Sequence, residues 1–287
     1  MNQLDKLRTR VRDAVFGRTK IRVVSLDATD DVVPVFVIGT FRSGTTLLRY
    51  LLDTHSQVCC PPETKFMVNL AGLRDNKAIR KSLDNMGLEE QYIKQGLRKL
   101  SSSFYQPYMA VKGKQILVDK TPEYVRILDF IDWLYDGKCK YIFIFRNGLD
   151  VANSMYEQDI EPLLGNKTLD TAFEYWKHDS EIMLDWIEKN KGSCHKVVYD
   201  DLCANVEGVM KGVLKFMGLD WEQKILEWYN QGHDRGHEDI KARRQRGVKK
   251  SSANYEKWDT ETIKRFKKLA SELHEKIGFD PETLKFH

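Results

Sequence analysis

The stretch Val35–Thr46, VFVIGTFRSGTT, constrains the fold of this chain more than any other. An apolar run, VPVFVI at 33–38, stops at Gly39. It is followed by TTLLRYLLDTH, in which Leu47, Leu48, Leu51 and Leu52 recur at helical period. Together these read as a strand, a glycine loop and a helix, with Gly39 and Gly44 at the G-x-x-x-x-G spacing of a phosphate-binding loop. Such a turn aims backbone N–H groups and the positive end of a helix at one spot, where an anion belongs. Thr45 stands where nucleoside-triphosphate enzymes carry the lysine that reaches the terminal phosphates. Arg42, inside the loop, offers instead a two-point guanidinium fork for phosphate or sulfate oxygens.

Two further apolar runs follow the same logic. KYIFIFR at 140–146 leads into NGLDVANSMYEQ, a turn and a helix start, and HKVVYDDL at 195–202 leads into the helical EGVMKGVLKFMGL. Alternating strands and helices predict an α/β, P-loop-like three-layer fold, a central parallel sheet flanked by helices. Residues 64–110 are helical and polar and form a predicted insertion over one face of the sheet. The tail DTETIKRFKKLASELHEKIGF predicts a last helix ending at Gly278. No repeat or linker divides the 287 residues, so one domain is expected, with residues 1–30 as a basic helical arm carrying Leu4, Leu7, Val11 and Val15 beside Lys6, Arg8, Arg10 and Arg12.

Composition narrows the function classes. The net charge of +4 arises from 46 basic and 42 acidic residues, too balanced for a nucleic-acid coat but compatible with a local anion site. Five cysteines without C-x-x-C pairs fit a reducing cytoplasm, and no segment has the roughly 18 apolar residues of a membrane span.

A second anion site completes the pattern. In FIFRNGLDVANSM, Arg146 ends a strand and Ser154 lies on the first turns of the next helix, so both can meet one phosphate at the carboxyl edge of the sheet. Two anion sites on one edge suit a ligand with two separate phosphate groups. On these residues the chain resembles sulfotransferases that use 3′-phosphoadenosine 5′-phosphosulfate (PAPS). FRSGTTLL is similar to their 5′-phosphosulfate loop and FRNGLDVANSM to their 3′-phosphate segment, while VDKTPEY at 118–124 and VVYDDL match two further stretches. PPETKF resembles the segment with the catalytic glutamate in protein-tyrosine sulfotransferases and related bacterial proteins.

The resemblance implies that Arg42, Ser43, Gly44, Thr45 and Thr46 surround the 5′-phosphosulfate. It further implies that Arg146 and Ser154 hold the 3′-phosphate, that Tyr199 lies at the adenine side, and that Lys257 and Ser251 are late cofactor contacts. Glu63 is the implied general base, and Lys120 and Arg42 the implied stabilisers of the sulfuryl and leaving oxygens. No metal is expected. The acceptor would be a hydroxyl compound, whether a phenol, peptide tyrosine, alcohol or sugar, with Phe66, Tyr105, Tyr108 and Tyr124 in segments that can line its pocket. The chain departs from the tyrosine-acting pattern four residues after Ser154, where Gln158 replaces an arginine. The alternatives are a P-loop nucleotide or small-molecule kinase, against which Thr45 argues, and a non-catalytic nucleotide-binding module, against which the Glu63 and Lys120 pair argues.

Three other features carry less. His233 and His237 have the spacing of a helical metal pair, but Gly232 and Gly236 make a solvated loop the better reading. His55 reads as a cap to the P-loop helix. The basic run at 241–252, beside Lys257, reads as a loop that closes on phosphates or on an acidic acceptor.

Overall fold

The computed structural model describes residues 31–158, 167–234, 236, 246–248 and 254–286. The basic arm at 1–30, His237, most of the basic run and Ser251 lie outside them. Strand β1 (Val35–Ile38) passes through residues 39–44 into α1 (Thr45–Thr54), and β2 (Val58–Cys59) follows. Helices α2 (Phe66–Asp75), α3 (Lys77–Asn85) and α4 (Glu90–Lys112) separate β2 from β3 (Ile116–Lys120). A 3-10 turn (Pro122–Ile127) and α5 (Leu128–Leu134) lead to β4 (Lys140–Phe145), α6 (Gly148–Glu157) and α7 (Leu169–Lys189). After β5 (Cys194–Val198) come α8 (Tyr199–Ala204), α9 (Val206–Met217), a 3-10 segment (Gln223–Asn230) and α10 (Thr260–Ile277).

The five strands form one parallel sheet in the order β2-β3-β1-β4-β5. Parallel sheets are covered on both faces, and here successive strand residues divide between two cores. Phe36, Ile38, Tyr141, Phe143 and Phe145 pack with α4, α5, α6, α7 and α10. Val35, Val37, Ile142 and Ile144 pack with the leucines of α1 and with α9 and Trp228. That period of two on a doubly buried strand is why these runs are continuously apolar.

Helices α2 to α4 occupy the predicted insertion at 64–110. The third predicted strand is shorter than 195–202, because Tyr199 already starts α8, where Asp200 and Asp201 favour a helical first turn. Strand β3 and the long α7 had not been expected. In β3 the run ILVDK ends in two charges, which hides its strand character. The predicted last helix is present, capped by the Asp259 side chain and closed by Gly278 at φ 107°.

One buried contact fixes the start of α6. His274 of α10 accepts a hydrogen bond through Nε2 from the Gly148 N–H at 3.0 Å, and Trp176 of α7 packs where a Gly148 Cβ would stand. Burial pulls the His274 imidazole down to about 4. The unfolded chain, with an ordinary histidine, therefore binds a proton between about pH 6.5 and 4 that the folded chain refuses. Stability is fully present above that window and falls as pH drops through it, by about 3 kcal/mol in total. Denaturant titrations between pH 4 and 8 are expected to show this loss, and a His274→Gln variant to show a flatter profile by that amount.

Candidate active site

The strand order places a switch point at β1. The chain leaves β1 towards β2 and β3 on one side and reaches β4 and β5 on the other. Ligands of open α/β sheets bind at such points, beyond the carboxyl ends of the strands. Ile38 lies in register with Phe143, and Val37 with Lys120. The loop after β1, the residues after β4 and the end of β3 therefore meet at one edge.

The loop at 39–44 is shaped for an anion. Arg42 has φ 72°, a left-handed conformation rare for a side-chain-bearing residue. Gly44 follows at φ 98° as the N-cap of α1, with no side-chain cap, and the first turn holds no acidic residue. A Cβ on Gly44 would stand 2.3 Å from Tyr199 Cδ2, so glycine is required both by the backbone and by the ring. The Ser43 hydroxyl donates to the Thr40 carbonyl at 2.7 Å. Thr40 Oγ1 is buried with no hydrogen-bond partner among the described residues. An uncapped helix N-terminus, a glycine-lined cradle and a buried hydroxyl fit the phosphosulfate end of PAPS. Thr45 is buried and Thr46 half-buried at the same turn.

The two predicted anion sites are joined. Arg42 Nε donates to Ser154 Oγ at 2.9 Å, and Arg146 Nη1 donates to the Arg42 carbonyl at 2.8 Å. Arg146 is buried, with its guanidinium carbon 4.6 Å from the centroid of the Tyr199 ring, a cation–π contact. Its own carbonyl accepts from Trp176 Nε1 at 3.2 Å, which anchors the end of β4 to α7. Lys257 lies further out and pairs with Glu157 at the end of α6, while Trp258 Nε1 donates to Asn153 at 2.9 Å. Gln158 caps the same helix in an extended conformation.

On the other side of β1, Lys120 Nζ donates to Glu63 Oε1 at 2.6 Å, with Lys120 wholly buried and Glu63 9% exposed. Beneath this pair lies Asp119, which sequence reasoning passed over. It accepts from Thr64 Oγ1 and Tyr105 Oη at 2.6 Å each and from Thr121 Oγ1 at 3.1 Å. Burial pushes the Asp119 carboxyl above its ordinary range, against the pull of these hydroxyls and of Lys120. The signal was present in VDKTPEY, an acid directly before the lysine at the end of an apolar run.

The aromatic residues expected in segments that can line an acceptor pocket are mostly enclosed. Tyr105 and Tyr124 are buried with their hydroxyls on Asp119 and Thr64, and Tyr108 donates to Asp234 at 3.0 Å. Only Phe66 stays half-exposed, edge-on to Phe104. His233 also departs from expectation. It is 8% exposed, not solvated, with Nδ1 2.6 Å from Asp53 and Nε2 2.9 Å from the Trp228 carbonyl, and it stacks on Tyr50. Burial alone would raise the Asp53 carboxyl, but His233, the Cys60 N–H, Lys114 and Arg49 together hold it below its usual range. His55 does close α1, and its Nε2 donates to the Asp220 carbonyl at 3.0 Å.

The fold has counterparts among known proteins. A family model described as "Sulfotransferase family" matches residues 34–223. Protein-tyrosine sulfotransferase A of Caenorhabditis elegans is 27% identical over 208 residues, covering 67% of this chain and 51% of that protein. Among solved structures, a sulfotransferase domain from the curacin biosynthetic pathway superposes with a TM-score of 0.59 at 20% identity, covering 85% of this chain and 98% of the domain. A mouse sulfotransferase complexed with PAP superposes at 0.51 and 15% identity, covering 87% of this chain and 86% of that one. The chain belongs to the sulfotransferase family. It spans about a third of one of the curated relatives it matches and about half of the C. elegans protein.

Gly44→Ala is expected to cost at least about 1 kcal/mol, because a Cβ collides with Tyr199 and the αL backbone opposes it. Thermal melts should show a fall of a few degrees, part of which a second change, Tyr199→Ala, restores by removing the collision.

Proposed function

We propose that this protein transfers a sulfuryl group from PAPS to an acceptor hydroxyl, with Glu63 as general base. The observation that carries the reading is the buried Glu63–Lys120 pair at 2.6 Å, set by strand register beside the exit of β1 into its anion loop. The crystallised complex of a fold relative with PAP supports the choice of nucleotide. PAPS supplies an activated sulfuryl group and a phosphate leaving group.

The residues divide the work by position. The N–H groups at the start of α1, Arg42, Ser43, Gly44, Thr45 and Thr46 hold the 5′ end, where a fixed positive field needs no reorganisation. Arg146 and Ser154 take the 3′-phosphate, with Tyr199 flanking the base and Lys257 at the outer rim. The bond from Arg42 to Ser154 keeps the two anion sites at a set separation, which is alignment supplied before the ligand arrives. Glu63 accepts the proton of the acceptor hydroxyl as that oxygen bonds to sulfur. An ammonium has three donors, and Lys120 spends one on Glu63, leaving the others for the sulfuryl and bridging oxygens. The bridging electron pair stays on the departing 5′-phosphate, beside Lys120 and Arg42. The 25–30% identity to protein-tyrosine sulfotransferases of several animals makes peptide tyrosine the first acceptor to test, ahead of small phenols, alcohols and sugars.

Incubation with radiolabelled PAPS and panels of tyrosine peptides, phenols, sugars and lipids tests the reading. Transfer to at least one panel is expected, with binding of 3′-phosphoadenosine 5′-phosphate by calorimetry. Absence of both sinks it. Glu63→Gln is expected to lower kcat by about 100-fold or more while donor binding stays intact. Full activity in that variant removes Glu63 as base.

A further inference from the structure

We infer that Arg49 is a positioning residue that sets the height of Glu63 over the anion loop, an inference that rests on Glu63 as base. Arg49 lies on α1, one turn beyond Thr45, with Leu52 and Asp53 on the next turn of the same face. It is wholly buried, although arginine is seldom enclosed without a reason. Its guanidinium reaches the connection after β2 and the segment at Asp234. Nε donates to the Cys60 carbonyl at 3.0 Å and the Pro61 carbonyl at 2.9 Å, and Nη2 donates to the Asp234 carbonyl at 2.7 Å.

Cys60 and Pro61 open the connection that delivers Glu63 three residues later. Two consecutive prolines, Pro61 and Pro62, stiffen that connection, since each fixes its own φ and restricts the residue before it. A grip on the carbonyls of Cys60 and Pro61 is therefore passed to Glu63 with little slack. On the far side, Gly236 packs so closely on Pro62 that a Cβ there would stand 2.7 Å from the Pro62 Cβ. The Asp234 carbonyl brings this same segment under Arg49. Beyond Glu63 the Thr64 hydroxyl is tied to Asp119 of β3. The carboxylate thus hangs between two anchors, one on the helix that carries the anion loop and one on the strand that carries Lys120.

This arrangement has a purpose that packing alone does not require. The anion loop and the base belong to different connections, and in-line transfer depends on their separation to a fraction of an ångström. Asp53 of α1 also meets this connection, accepting the Cys60 N–H at 3.0 Å, but Arg49 takes the Cys60 carbonyl and reaches one residue further, to that of Pro61. A fork of several donors in one plane does this, whereas the point charge of a lysine does not.

The test is a double-mutant cycle with Arg49→Lys and Glu63→Gln, using the tyrosine peptide or phenol turned over in the panel above. Arg49→Lys is expected to lower kcat between about tenfold and a hundredfold. Its affinity for 3′-phosphoadenosine 5′-phosphate should stay within about twofold, since the anion loop is untouched. In the Glu63→Gln background the same change is expected to lower kcat no further. Losses that multiply in the double variant, an unchanged kcat in Arg49→Lys, or a parallel loss of nucleotide affinity would each overturn the inference. If Arg49→Lys does not fold, as judged by its melting transition, Arg49→Met fills the same volume without donors and is carried through the same cycle. A fully active Glu63→Gln single variant overturns instead the reading of Glu63 as base, so the two failures are told apart.

Discussion

The structure depends on the parallel pairing of β1 with β3 on one side and β4 on the other. Because the three strands run in the same direction, their carboxyl ends emerge together, and register decides which residues become neighbours. Val37 opposite Lys120 and Ile38 opposite Phe143 bring three separate connections to one edge. Residues a hundred positions apart in the chain, such as Arg42 and Ser154, are then within hydrogen-bond distance. The two cores hold that sheet between layers of helix.

At this edge the backbone is held in a conformation it would not choose. Arg42 in the left-handed region and an uncapped start to α1 are both unfavourable by themselves. The surroundings impose them: Arg146 grips the Arg42 carbonyl, Ser154 takes its Nε, and the Tyr199 ring fills the space that only Gly44 leaves. Ordering of this kind, built in before any ligand arrives, is alignment that binding need not supply.

Buried charge is the second theme. Arg49, Lys120 and Asp119 are enclosed; Arg49 and Asp119 are matched by several hydrogen bonds each and Lys120 by the Glu63 carboxylate, which is the condition under which enclosed charge is tolerated. They lie along a line from α1, through the connection that holds Glu63, to β3. Tyr105 and Tyr124, in segments that the sequence reads as able to line an acceptor pocket, also meet Asp119 through their hydroxyls.

The sequence by itself determined the class of fold and the nature of its anion site. Continuous apolar runs ending in VIGTFRSG and FIFRNG, each followed by a helix, are local patterns, and local sterics and periodicity suffice to read them. The tertiary structure alone decided which polar residues became internal. His233 looked solvated because two glycines break its helix, yet Asp53 and the Trp228 carbonyl, which nothing nearby in sequence announces, enclose it. Strand β3 was hidden because its last two residues are charged, and those charges are stable only where Thr64, Tyr105 and Glu63 arrive from other connections to meet them. Arg49 was legible only as one charge in a leucine-rich helix. Its partners are backbone carbonyls, which every residue has, so no side-chain pattern could reveal them.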